Sequence, residues 1–119
     1  MGDGTLVWRF PETEPMSTYI AALVAGEYHK VDKTYRGAHG EIPMGLYCRQ
    51  SLVDYLDAEE LWKITEQGFA FFEKTFGYPY PFGKYDQLFV PEYNMGAMEN
   101  AGAVTFRDEM IFRSRQTVA

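Results

Sequence analysis

The spacing of hydrophobic residues changes partway along the chain, from alternation to the three-and-four spacing of a helix and then back to short apolar runs. Residues 5–10, Thr-Leu-Val-Trp-Arg-Phe, are β-branched and aromatic and stop at Pro11, which predicts a strand closed by a turn. A polar connection follows over residues 12–17. Residues 18–28 hold enough apolar length for a buried strand; their alanines also suit a short helix, but Tyr, Ile and Val with Gly26 as an interruption favour the strand. Residues 31–40 are charged and glycine-bearing, as in a hairpin loop. Alternation returns over residues 41–50 through Ile42, Met44, Leu46 and Cys48, with Pro43 placing that strand at an edge or giving it an irregular start.

A helix over residues 58–76 is the strongest signal. Asp57 suits the N-cap and Glu60 completes a capping box, with acidic charge at the positive end of the helix. Leu61, Trp62, Ile64, Phe69, Phe72 and Phe76 build one apolar face, read as core rather than a cofactor surface, and Gly77 supplies the left-handed stop. Tyr78-Pro79-Tyr80-Pro81-Phe82-Gly83 cannot continue the helix and forms a rigid turn, because each proline lacks a donor and restricts its predecessor. Short strands are expected at residues 86–90, 103–106 and 110–112, and residues 113–119 carry no apolar pattern. The class is α+β: antiparallel strands in the first fifty residues, one long helix, then short strands, without internal repeats.

Composition narrows the partners. The 119 residues suit one domain, or two small pieces of a larger protein, and 46% hydrophobic content with 17% aromatics is globular. No segment has the apolar length to span a bilayer, so a soluble chain without a membrane partner is expected. A net charge of −6 opposes polyanions and excludes nucleic acid as a natural partner. Met1-Gly2-Asp3-Gly4 lacks the basic and apolar regions of a secretion signal, and Cys48 stands alone, so a reducing, cytoplasmic setting is expected. Cys48 reads as a packing residue with no histidine partner. His29 and His39, the only histidines, do not match the i, i+4 pairing of a helical metal site.

The chemistry concentrates in Asn94-Met95-Gly96-Ala97-Met98-Glu99-Asn100-Ala101-Gly102. One carboxylate sits in a frame of small and thioether side chains. Gly96 and Ala97 would let another backbone approach and pair as an added strand; Met95 and Met98 would line an adaptable side-chain pocket; Asn100 would brace Glu99 or a substrate carbonyl. A fixed carboxylate distinguishes a chain end from a chain middle, since an α-ammonium with a reference pKa near ~8 is largely protonated at neutral pH. The bland alternative is a glycine-rich bend with Glu99 solvated and the methionines in the core.

Gly96-Ala97-Met98-Glu99-Asn100 matches, without substitution, the G-A-M-E-N signature of the zinc-dependent aminopeptidase N family. Tyr78-Pro79 through Asp86 resembles that family's Tyr-Pro and Lys-x-Asp approach to the signature, and residues 19–26 resemble its junction between an N-terminal β domain and the catalytic domain. The resemblance runs from about residue 18 to residue 112. It implies that residues 1–30 end the β domain and that residues 31–119 open a thermolysin-like catalytic domain. It also implies that Glu99 receives the substrate α-amino group, that Gly96 and Ala97 run along the substrate, that Met98 and Asn100 complete the signature, and that Met95 borders the first specificity pocket.

In that family an H-E-x-x-H helix, with two zinc ligands and the general base, follows the signature by roughly thirty residues. Residues 1–119 contain no such motif, and none of the nine tyrosines takes the family's transition-state role. The resemblance therefore implies a fragment of a zinc metalloaminopeptidase: zinc in the parent protein, none bound here, a peptide amino terminus as partner, and no activity alone. Surfaces meant for missing neighbours predict self-association. A non-catalytic peptide-binding or scaffold relative is the alternative. A bifunctional epoxide hydrolase relative is a further one, although that branch favours glycine where Ala97 stands.

Overall fold

Two long alternating strands carry the sheet, and they begin earlier than the charge pattern suggests. In the computed structural model, which describes residues 2–114, β1 (Tyr28–Gly37) and β2 (Gly40–Arg49) form an antiparallel hairpin with Ala38 and His39 at its tip. Residues 31–37, expected to be loop, are therefore strand. Their charges fit because β1 is the outermost strand of the sheet, where charged side chains discourage pairing with other chains. Val31 and Tyr35 still face the core, while Asp32 and Arg36 project into solvent from the other face.

β2 is central instead of an edge. Met44, Leu46 and Cys48 are buried, and Leu46 and Cys48 are fully so. Burial pushes the Cys48 thiol above its ordinary pKa, in keeping with a packing role. Pro43 is tolerated because pairing with the next strand starts only at Met44, leaving one side of β2 open at the proline.

The helix falls where its caps place it. α1 spans Ala58–Phe76, the Asp57 side chain accepts from the Glu60 N–H at 3.2 Å, and Gly77 takes φ 61° and ψ 29°. It forms the crossover that a parallel pair requires, for β3 (Tyr85–Val90) runs parallel to β2. β5 (Ala103–Arg107) lies parallel to β3, and β4 (Ala97–Met98) closes the order β1-β2-β3-β5-β4 antiparallel to β5. The α+β class holds, with a mixed sheet. Trp62, Leu61 and Phe69 bring α1 onto the core, and the Phe69 ring stacks on Tyr35 at 5.0 Å.

The expected apolar stripe is only partly core. Ile64, Phe72 and Phe76 are exposed, because the arc of apolar residues on α1 is wider than the strip of sheet it covers. Together with Tyr78, Pro79 and Pro81 they border an open groove of about 700 Å³.

Three expected strands are not formed. Residues 5–10 have no ladder partner, and Leu6, Val7, Trp8 and Phe10 are exposed; β-propensity without a neighbouring strand leaves backbone donors to water. Residues 18–28 begin with one 3-10 turn, Thr18–Ile20, capped by the Ser17 hydroxyl, and then run without regular structure to β1. Asp108–Met110 is also a 3-10 turn, after which Ile111 enters the core. Of the patternless segment 113–119, residues 115–119 lie outside the described part.

Candidate functional site

The signature occupies the sheet edge opposite β1. After β3 the chain turns through Glu92, whose φ of 52° is left-handed, and returns as β4 at the end of the strand order. The Arg107 N–H donates to the Gly96 carbonyl at 2.9 Å, so Gly96 directs its backbone bonding inward to β5. Inward and outward bonding alternate along an antiparallel strand. With Ala97 opposite Phe106 and Met98 opposite Thr105, the N–H and C=O of Ala97 point away from β5, toward the open side of the edge.

The same alternation sorts the side chains. Ala97 shares a face with Phe106, which stacks on Phe89 at 5.4 Å. Met98 shares the other face with Thr105 and lines a cavity of about 350 Å³ with residues 22–25, Tyr28 and Tyr93. Met95 is exposed and is not part of that lining. The Met110 methyl would lie 3.5 Å from a Cβ built on Gly96, which leaves the glycine accessible while giving it an apolar neighbour.

Asn100 does not brace Glu99. It is buried, its Nδ2 donates to Thr105 Oγ1 at 3.1 Å, and Thr105 Oγ1 lies 3.0 Å from the Tyr93 hydroxyl. Its backbone carbonyl accepts from the Ala103 N–H at 3.1 Å. The turn that follows is pinned to β3: Gly102, at φ 67°, gives its carbonyl to the Asp86 N–H at 2.9 Å. A Cβ there would come within 3.1 Å of the Lys84 carbonyl. Asp86 is itself buried and paired with Lys84.

Glu99 is left exposed at the end of this braced edge. Its Oε1 accepts from the Tyr19 hydroxyl at 3.2 Å, and the Ala101 N–H donates to the Ile20 carbonyl at 3.1 Å. The Glu99 charge, and then the hydrogen bond, raise the Tyr19 phenol above its ordinary pKa. Tyr19, Tyr93 and Met110 were missed as site neighbours in the sequence. They lie in segments whose own patterns point only to strand or turn, and chain folding alone brings them to the signature.

Among the described residues no three His, Cys, Asp or Glu side chains are grouped to hold a metal ion. His29 is the second residue of β1 and His39 lies past its far end, about 30 Å apart at the rise of a strand, and His39 Nε2 is 3.9 Å from Glu73 Oε2.

A mixed sheet ends in a strand whose outer backbone is open beside an exposed carboxylate, and comparison with known proteins gives its family. Residues 61–119 match the model of the Peptidase family M1 domain. Aminopeptidase N of Streptomyces lividans is 53% identical over 113 residues, covering 95% of this chain and 13% of that protein. Mitochondrial aminopeptidase 2 of Saccharomyces cerevisiae is 39% identical over 106 residues, covering 88% of this chain and 10% of its own length. The crystal structure of Legionella pneumophila aminopeptidase A in complex with aspartic acid shares the fold, with a TM-score of 0.63 at 24% identity over 75% of this chain and 10% of that one.

The chain belongs to peptidase family M1, the family of aminopeptidase N. It spans about an eighth of the length of the Streptomyces relative.

Proposed function

We propose that this chain is the amino-terminus-reading part of a zinc-dependent aminopeptidase, with residues 1–30 ending a β domain and the rest opening the catalytic domain. The observation that carries this reading is the placement of Glu99 at the end of β4, beside the outward backbone groups of Ala97. An extended peptide would add to the edge as a further strand, donating to the Ala97 carbonyl and accepting from its N–H. Its α-ammonium would then meet the Glu99 carboxylate. Gly96 keeps the approach free of a side chain, Met98 and the cavity beneath it back the edge, Asn100 holds the turn, and Met95 borders the first side chain of the substrate.

The roles divide selectivity from affinity. Backbone pairing is the same for a free or a blocked peptide, so Glu99 alone discriminates between them. Exposed ion pairs are worth about 0.2–1 kcal/mol, which limits that discrimination to about fivefold. Zinc in the whole enzyme would supply polarisation of the scissile carbonyl and an activated water, and among the described residues no three His, Cys, Asp or Glu side chains are grouped to hold it. The 119-residue polypeptide, which carries no H-E-x-x-H, is therefore expected to bind peptides without hydrolysing them.

Calorimetric titration with an alanine tripeptide amide and its N-acetylated form tests the reading. The unsubstituted chain should prefer the free amine about fivefold, and Glu99→Gln should bind both forms alike. Equal affinities in the unsubstituted chain would overturn the assignment of Glu99. Release of chromophore from an aminoacyl anilide by the zinc-supplemented polypeptide, abolished by Glu99→Ala, would overturn the expected lack of hydrolysis.

A further inference from the structure

We infer that Tyr19 is a positioning residue for amino-terminus recognition, holding the Glu99 carboxylate in the orientation that meets an incoming ammonium; this deepens, and rests on, the reading of Glu99 above. Three observations support it.

The first is the contact. Tyr19 Oη donates to Glu99 Oε1 at 3.2 Å across eighty residues of sequence, while Asn100, the neighbour best suited by sequence to brace the carboxylate, is buried and bonded to Thr105 instead. Tyr19 is thus the side chain that restrains Glu99 among the described hydrogen bonds. A glutamate at a strand end has three rotatable bonds, and a substrate that must first order them binds more weakly. A donor on one carboxylate oxygen removes part of that cost and leaves the other oxygen for the ammonium.

The second is the mounting of Tyr19. The residue is on a 3-10 turn, Thr18–Ile20, in which the Ser17 hydroxyl accepts from the Tyr19 N–H at 3.2 Å. Its neighbour Ile20 gives its carbonyl to the Ala101 N–H at 3.1 Å, two residues past Glu99. Backbone and side chain therefore hold the two segments in one register.

The third is continuity. Residues 22–25 run on from this turn and, with Met98 and Asn100, wall the cavity beneath β4. The amino-terminal segment is thus part of the recognition site. The raised phenol pKa agrees with a tyrosine that stays protonated, and so remains a donor, at neutral pH.

The test uses Tyr19→Phe, which keeps the ring and removes the donor at an exposed position, and titrates the chain with the alanine tripeptide amide and its N-acetylated form. Affinity for the free amine should fall about threefold, affinity for the acetylated peptide should stay within error, and the unfolding midpoint should not move. Tyr19→Gln, which returns a side-chain donor, should recover part of the preference. If Glu99→Gln loses the preference while Tyr19→Phe keeps all of it, Tyr19 does not position Glu99 and the Glu99 reading survives. A parallel fall for both peptides would assign Tyr19 a general structural role and overturn the inference. No preference in the unsubstituted chain would overturn both readings at once.

Discussion

The Asn100 side-chain amide donates to the Thr105 hydroxyl at 3.1 Å in a part of the edge where both residues are buried. Asn100 closes the signature two residues past β4 and Thr105 sits in β5, so the bond ties the recognition edge to the sheet that carries it. Asn100→Ala removes the donor and leaves the Thr105 hydroxyl and the buried turn short of a partner, at a cost of about 1–3 kcal/mol. Pairing it with Thr105→Val should cost less than the sum of the single changes, because both remove the same bond. Urea unfolding of the four proteins in this cycle measures the coupling, and strict additivity would contradict it.

Gly102 and Gly96 should respond differently to an added methyl group. At φ 67° and with the Lys84 carbonyl 3.1 Å from a new Cβ, Gly102→Ala faces both backbone strain and a backbone contact that cannot rotate away. A loss of about 1–2 kcal/mol is expected on thermal unfolding. Gly96→Ala meets only the Met110 methyl at 3.5 Å and should leave stability within about 0.5 kcal/mol. Its effect should fall on peptide affinity, since the methyl narrows the approach to the edge.

Stability should follow the observed burial and not the helical periodicity. Leu46→Ala opens a cavity in the centre of the sheet and should cost about 2–5 kcal/mol in chemical denaturation. Phe72→Ala removes a ring from the open flank of α1, where the residue is 56% exposed, and should change stability by no more than about 0.5 kcal/mol. Similar losses at the two positions would mean that the groove is covered in solution.

The fold should weaken on the alkaline side. Burial is the main reason that the Tyr80 phenol is pushed well above its ordinary pKa, with the neighbouring Tyr85 and Asp86 adding to the shift, and its hydroxyl donates to the Lys84 carbonyl at 2.9 Å. An unfolded tyrosine ionises near pH ~10, so the protonated folded form contributes its full stability below that value and loses it as pH climbs toward the raised folded pKa. Urea midpoints measured from pH 8 to pH 12 should fall above pH ~10, and Tyr80→Phe should flatten part of that fall. An unchanged slope in the variant would contradict the assignment to Tyr80.

How much of this was readable in the sequence depended on whether the signal was local. The bounds of α1 were legible to the residue because Asp57 and Gly77 act on their own turns. The signature was legible because five adjacent residues carry it. Strands were legible only in part: those expected at residues 41–50, 86–90 and 103–106 form, but a strand needs a partner, and residues 31–37 gained one in β2 while residues 5–10 found none. The parallel pairing of β2, β3 and β5 has no local signature either. Within the site, the outward turn of Ala97 follows from register with β5, and the Tyr19 contact spans eighty residues; neither leaves a mark on the residues nearby.

The account rests on Glu99 receiving a free α-ammonium at the end of an open strand edge. The direct measurement is carboxyl-carbon NMR of the glutamate-labelled chain titrated with the alanine tripeptide amide and, separately, with its N-acetylated form. The Glu99 resonance, identified through Glu99→Gln, should shift with the free amine and stay in place with the acetylated peptide, while Glu41 and Glu59 do not move. A Glu99 signal that ignores the free amine, or moves equally with both peptides, would contradict the account.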